Sequence, residues 1–218
     1  MAHPIWPLFD LRVSTPLLEL RYIDDELATE LARLAARGVH PPQFMPFSIP
    51  WTDAPAGELE RNSMQYYWRS RADTSTTAWA IPLATIVDGR VVGTTSLMAN
   101  DFPTLRQFET GSWLGLEHQG RGIGKEMRVA TLHLGFLGFG AQWATTAAWD
   151  DNQPSLGVTN ALGYEVQGRR RAKRRDGIGN MIGFEMTRAH FLERLRRDDI
   201  HAHGVESCLT LLGLDGND

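Results

Sequence analysis

Between Trp113 and Met127 the chain reads Trp-Leu-Gly-Leu-Glu-His-Gln-Gly-Arg-Gly-Ile-Gly-Lys-Glu-Met, with glycines at 120, 122 and 124. Residues before it, Phe108 to Leu116, have the texture of a strand. Residues after it, 122–137, place Ile123, Met127, Ala130, Leu134 and Leu137 on one helical stripe, with Gly138 and Gly140 available to end it. A strand therefore feeds an amphipathic helix through a glycine turn. The first N–H groups of a helix have no internal partner, and the helix dipole favours negative charge there. Glycines let an anion approach the backbone closely, and Arg121 and Lys125 add mobile positive charge, so the turn is read as an anion cradle. It is not a P-loop: Gln119 stands where the first glycine is required, and Glu126 follows Lys125 where Ser or Thr is required. Nor is it a dinucleotide fingerprint, because Lys125 occupies the place of a third small residue.

The rest of the chain predicts an α+β fold with a largely antiparallel sheet. Leu17 to Ile23 alternates as a strand. Asp24 and Asp25 then open a helix with Leu27, Leu31, Leu34 and Ala35 on one side, and Gly38 ends it. Residues 39–56 hold Pro41, Pro42, Pro46, Pro50 and Pro55 beside Phe44, Phe47 and Trp51, which reads as a packed loop. Residues 58–71 read as a helix with Leu59, Tyr66 and Tyr67 toward the core. Asp88-Gly89 joins two strands as a tight hairpin. Residues 142–149 precede a short helix opened by Asn152 and Pro154 and closed by Gly163. Tyr164 to Ala172 and Ile178 to Thr187 are the last strands, and Thr187 caps a helix through Arg196.

Composition bounds the partners. The chain has 218 residues, 42% of them hydrophobic, enough for one compact core. Its formal net charge of −4 gives no global reason to bind nucleic acid or an anionic membrane. No apolar run approaches the roughly 18 residues of a membrane span, and the opening lacks a signal-peptide pattern. With the lone Cys208 excluding an internal disulfide, the expectation is a soluble cytoplasmic protein.

Gln119-Gly-Arg-Gly122-Ile-Gly124 resembles the Q/R-x-x-G-x-G/A signature of the GCN5-related N-acetyltransferase (GNAT) superfamily. Asn152-Gln-Pro-Ser155 followed by Gly163-Tyr164 is similar to a motif of its RimJ/RimL branch, whose members acylate primary amines. The resemblance implies a GNAT fold with splayed central strands in a single domain over residues 1–218. Its core spans about residues 15–197, and residues 198–218 form a C-terminal extension. It implies acyl-CoA as co-substrate, an amine-bearing acceptor (a protein N-terminus, a lysine or a small molecule), a homodimer, no metal, and direct attack in a ternary complex. The Trp6-Pro-Leu lead and the Pro46-Phe-Ser-Ile-Pro-Trp51 loop resemble an actinobacterial subset, which adds succinyl-CoA to acetyl-CoA as a donor.

Carried onto this chain, the resemblance assigns pantetheine contacts to the backbone around Leu116 and the pyrophosphate to Gln119, Gly120, Arg121, Gly122, Ile123, Gly124 and Lys125. It gives Asn152 a contact to the pantetheine arm and gives Ser155 the departing thiolate. Attack by an amine requires its neutral form, hence a base; Glu109 is the first candidate and Asp101 the second. A backbone N–H near Leu116 would polarise the thioester. The rival reading is a non-catalytic acyl-CoA-binding or sensing protein.

Other features are read more plainly. Arg169-Arg-Arg-Ala-Lys-Arg-Arg175 reads as a solvated hairpin first, an attractor of acidic groups second and an RNA contact third. His201 and His203 share a strand face without a third ligand nearby, His118 is an exposed turn residue, and Cys208 is a small buried hydrophobe. Trp51, Trp79 and Trp113 are candidates to line an acceptor groove.

Overall fold

The computed structural model describes residues 3–214. Nine strands form one sheet: β1 (Arg12–Ser14), β2 (Glu19–Tyr22), β3 (Ala78–Val87), β4 (Arg90–Asn100), β5 (Gln107–Leu114), β6 (Trp143–Trp149), β7 (Glu165–Arg174), β8 (Gly177–Thr187) and β9 (His201–His203). Their spatial order is β7-β8-β6-β5-β4-β3-β2-β1-β9, and only the β5–β6 pair is parallel. The helices are α1 (Asp25–Arg37), α2 (Glu58–Ala72), α3 (Phe102–Leu105), α4 (Ile123–His133), α5 (Gln153–Ala161), α6 (Arg188–Arg194) and α7 (Val205–Leu209).

The period-2 alternation of β3 builds two layers. Ile81 and Leu83 face one side and join Leu97, Phe108, Met127, Ala130 and Leu134 in the main core. Ala84 and Ile86 face the other and meet Ala28, Leu31 and Leu34 of α1 and Tyr67 of α2. Removing each such Leu or Ile from water contributes about 1.5–3 kcal/mol, so the sheet holds α1 and α2 on one face and α4 on the other. As expected from the sequence, the Asp24 carboxylate accepts from the Leu27 N–H at 2.8 Å and Gly38 ends α1.

The helix expected over 122–137 is interrupted. After His133 the backbone makes a π turn over Leu134–Gly138, and the Arg188 guanidinium donates to the Phe136 carbonyl there. The wider turn changes the phase, so Leu137, placed on the apolar stripe by 3.6-residue spacing, is 42% exposed. Within the turn Gly135 lies directly against the Phe108 ring, leaving no room for a Cβ. Tyr66, expected in the core, is also exposed, while Leu59 and Tyr67 are buried.

The sheet reaches past the 15–197 core. β1 pairs on one side with β2 and on the other with β9, drawn from the C-terminal extension. His201 and His203 sit on that exposed edge strand, and no cluster of three or more metal-ligating side chains exists among the described residues. No described helix is long and apolar enough to cross a membrane.

His133, buried at the end of α4, packs edge-on against Phe191 at 5.0 Å, and its Nε2 accepts from the Arg197 N–H at 3.0 Å. Desolvation holds its pKa below the ordinary 6.5, with the Arg197 and Arg196 charges acting in the same direction; a backbone hydrogen bond to Leu195 and the Asp199 charge oppose them. The unfolded chain therefore binds a proton on His133 before the folded chain does. Stability from this group is complete above pH 6.5 and is lost as pH falls from 6.5 toward the lowered folded value. Melting temperatures recorded from pH 7.5 to 5.0 will fall across that window, and the slope will flatten in His133→Gln; an equal slope in both proteins contradicts the assignment.

Candidate functional site

The parallel β5–β6 pairing lasts only from Gln107/Trp143 to Glu109/Thr145. Beyond it β5 continues along β4 to Leu114, and β6 continues along β8 to Trp149, so the two strands part like a fork. Hydroxyls stitch its vertex: Thr110 Oγ1 donates to the Thr145 carbonyl at 3.3 Å, and Thr146 Oγ1 donates to the Thr110 carbonyl at 3.0 Å. The Gly115 N–H donates to the Val92 carbonyl, and antiparallel alternation then turns the backbone groups of Thr110, Ser112 and Leu114 away from β4, into the fork. A sheet ordinarily pairs such groups along a neighbouring strand; here the Thr110 carbonyl takes the Thr146 hydroxyl and the Leu114 carbonyl the Gln119 amide, and a slot opens between the parting strands.

The glycine turn stands at the open end. Gly120 and Gly122 have φ of +74° and +80°, and the space where their Cβ atoms would lie is open. Among the described residues, the N–H groups of Gly120, Arg121, Gly122, Ile123 and Gly124 make no hydrogen bond to the protein, whereas those of Lys125 and Glu126 both turn back to the Gly122 carbonyl. Five successive free donors at a helix start form an anion nest. Arg121 and Lys125 are exposed beside it and pair with no carboxylate among the described residues.

Two expected contacts belong instead to the scaffold. The Gln119 side-chain amide donates to the carbonyls of Val39 at 2.7 Å and Leu114 at 2.9 Å, so it anchors the nest to the loop after α1 and is not free for a phosphate. The Leu116 N–H donates to the Gly38 carbonyl at 3.0 Å, which removes it as a donor to pantetheine or a thioester. The strand ends at Leu114, two residues earlier than expected.

On the other arm, β6 leads into α5. Asn152 is buried and caps the helix, its Oδ1 accepting from the Ser155 N–H at 3.3 Å. The Ser155 hydroxyl has no partner among the described residues, and the closeness of Val158 to Gly124 shows α5 lying alongside α4. The nest and Ser155 thus flank the fork from its two arms.

A cavity of 360 Å³ lies against the same β5, on the α2 side of the sheet. Phe47, Ile49 and Trp51 from the proline-rich loop, Tyr66 and Tyr67 from α2, Ser96 and Met98 from β4, and Gly111 and Trp113 from β5 line it. No Asp, Glu, His, Lys or Arg lines it, and the buried Ser96 hydroxyl has no partner. Burial pushes the Tyr67 phenol well above its ordinary range, with the neighbouring Tyr66 adding to the effect, so the wall is neutral at ordinary pH. Trp51 and Trp113 meet here at 5.8 Å, whereas Trp79 is buried in the main core against Phe102 and Phe139.

Glu109 shares a strand face with Gly111 and Trp113 but is exposed at the vertex, outside the cavity lining. Asp101 does not belong to the site. It lies three residues past Met98, the β4 partner of Glu109, hence about 10 Å further from the fork. His118 sits beside Glu117 at 3.5 Å. Burial pushes the Cys208 thiol up to about 12, so it supplies no thiolate.

The basic run ends in a latch. Arg174 donates to the Met45 carbonyl at 2.8 Å and forks onto Asp151, with its guanidinium over the Phe44 and Trp149 rings. Arg175 forks onto Asp53 and donates to the Pro42 carbonyl at 3.1 Å. Both therefore hold the loop that carries Phe47, Ile49 and Trp51, a role no local spacing announces. Arg175→Ala with Arg174→Met will speed hydrogen exchange of the amides in 43–52 by about tenfold or more while leaving α4 amides unchanged; unchanged exchange in the loop rejects the latch.

The Acetyltransferase (GNAT) domain family model matches residues 18–165, more than half of the chain. Solved structures share the fold at low identity. A GCN5-related N-acetyltransferase from Brucella melitensis aligns at TM-score 0.66 and 18% identity, covering 83% of this chain and 80% of that one. RimL, a ribosomal L7/L12 α-N-protein acetyltransferase solved with coenzyme A, aligns at 0.62 and 17%, covering 79% and 95%. The microcin C7 self-immunity acetyltransferase MccE, solved with acetyl-CoA and AMP, aligns at 0.62 and 18%, covering 79% and 93%. With its forked sheet, its glycine nest and this family match, the chain belongs to the GNAT acetyltransferase family.

Proposed function

We propose that the protein is an N-acyltransferase that moves an acetyl group, with succinyl as a second donor group, from coenzyme A to the primary amine of a protein N-terminus, a lysine or a small molecule. The five free amides at residues 120–124, open to solvent beside a forked sheet, carry this reading. They match a diphosphate, the nearby Arg121 and Lys125 compensate its remaining charge, and the fork-facing backbone of β5 suits the amides of a pantetheine arm. Attack is direct, within a ternary complex, since the buried Cys208 cannot serve as a covalent relay.

The acceptor enters through the neutral cavity. A wall without a carboxylate gives an ammonium ion nothing to pair with, so the amine is favoured there in the neutral form that attack requires. Its proton leaves toward solvent, with Glu109 at the vertex as the receiving carboxylate. The partnerless Ser155 hydroxyl hydrogen-bonds the departing sulfur. The absence of a carboxylate from the cavity wall also favours a second reading, an acyl-CoA-binding protein without turnover.

A saturating acyl-CoA will raise the melting temperature by about 5–10 °C, and comparing acetyl- with succinyl-CoA ranks the donors; no shift with either removes the reading. Release of free thiol in the presence of an amine panel separates the enzyme from the sensor. Gly122→Val places a Cβ at φ +80° and fills the nest, so calorimetry will find coenzyme A binding abolished in a folded protein. Gly124→Ala, whose Cβ meets Val158 and Leu114 at ordinary distances of 3.7 and 3.8 Å, will retain it. Ser155→Ala will lower turnover by about a hundredfold with little change in affinity; equal losses in both make Ser155 a binding residue only.

A further inference from the structure

We infer that Arg128 is a positioning residue, a buried guanidinium tied to one hydroxyl on each arm of the fork, which sets the width of the slot that takes the pantetheine arm. This rests on the coenzyme A reading above. Arg128, on α4, is 5% exposed. Its Nη1 donates to Thr146 Oγ1 of β6 at 3.3 Å and its Nη2 donates to Ser112 Oγ of β5 at 3.1 Å. Its Nε has no partner, and no carboxylate among the described residues forms an ion pair with it.

Such a residue is costly where it stands. A buried cation without a counter-ion, with one donor unmet, destabilises a fold that Met or Leu of similar volume would fill. Apart from Thr131, whose hydroxyl meets that of Thr95 on β4 at 3.0 Å, the rest of the sheet-facing side of α4 is apolar, with Ile123, Met127 and Ala130 in the main core. Packing therefore does not explain Arg128; its two anchors do. Thr146 is the first residue of β6 beyond the paired stretch, and Ser112 is the third of β5 beyond it. Had the parallel register continued, Ser112 would face Ala148 across an ordinary strand spacing of about 4.8 Å and the slot would close. A guanidinium holds its two terminal nitrogens in one rigid plane, so the hydroxyls it grips are kept at a set separation. Thr146 passes this restraint to the vertex through its bond to the Thr110 carbonyl, and Ser112 passes it to the cavity it also lines.

The test separates the slot from the nest. Calorimetry on wild type and Arg128→Met uses coenzyme A and 3′-phosphoadenosine 5′-diphosphate, which keeps the diphosphate and lacks the pantetheine arm. Arg128→Met will bind coenzyme A at least about fivefold more weakly, bind the nucleotide as wild type does, and melt no lower than wild type in the absence of ligand. Arg128→Lys, a point cation unable to grip both hydroxyls, will not restore coenzyme A affinity. Ser112→Ala frees one arm without removing the charge and will show the same split, so the question stays answerable if Arg128→Met does not fold. Coenzyme A weakened by less than about fivefold, a parallel loss for both ligands, or full rescue by lysine overturns the inference. Wild type that fails to bind coenzyme A overturns the underlying reading instead.

Discussion

The parting of β5 from β6 is the constraint on which the rest of the molecule depends. A parallel pair in mid-sheet normally satisfies every backbone group on its facing edges, and giving that up after Glu109 and Thr145 leaves polar groups without ladder partners. The fold tolerates this because both outer neighbours stay fully zipped: β4 follows β5 to Leu114 and β8 follows β6 to Trp149. The hydroxyls of Thr110 and Thr146 close the vertex. Behind it Gly135 lets the π turn at the end of α4 press against Phe108.

The two helices that begin at the open end follow from the same geometry. α4 starts after β5 and α5 after β6, and parallel strands bring both helix starts to one end. The nest is held by groups that do not face a ligand: the Gln119 amide on the Val39 and Leu114 carbonyls, and the Leu116 N–H on the Gly38 carbonyl. Those bonds tie the nest to the end of α1, on the opposite face of the sheet. The loop that follows α1 is itself latched by Arg174 and Arg175 from the β7–β8 hairpin. Hydrogen bonds thus relate the anion end of the site, through the loop after α1, to the cavity wall.

Signals confined to a few neighbouring residues were legible in the sequence. The alternate glycines with Arg121 and Lys125 announced the nest, Asp88-Gly89 the hairpin, Asp24 and Gly38 the limits of α1, and Asn152 a helix start. What escaped depended on distant partners. β1 and β9 are three residues each and gain their pairing from opposite ends of the chain. Nothing near Asp101 shows that it lies beyond the vertex, since its distance is fixed by the β4–β5 register. Arg169, Arg170, Arg171 and Lys173 of the basic run are exposed as expected, but the hold of Arg174 and Arg175 on the loop escaped because Met45, Pro42 and Asp53 are more than a hundred residues away. Leu137 failed for a different reason, as a π turn is invisible to any fixed helical period.

Where polar groups lack partners is as informative as where they have them. Some surface charge is paired locally, as in Arg197 with Glu126 and Asp199, or Arg21 with Glu19. Around the fork, five amides, the Ser155 hydroxyl, the Ser96 hydroxyl at the cavity wall and the Arg128 Nε have no partner among the described residues. A chain selected for stability alone would fill such a sector with apolar side chains or pair its donors. The nest is exposed, and no charged side chain lines the cavity. The nest therefore selects for an anionic group. Net charge contributes nothing to this selection, because at −4 the chain as a whole repels an anion and only the local amides and free cations draw one in.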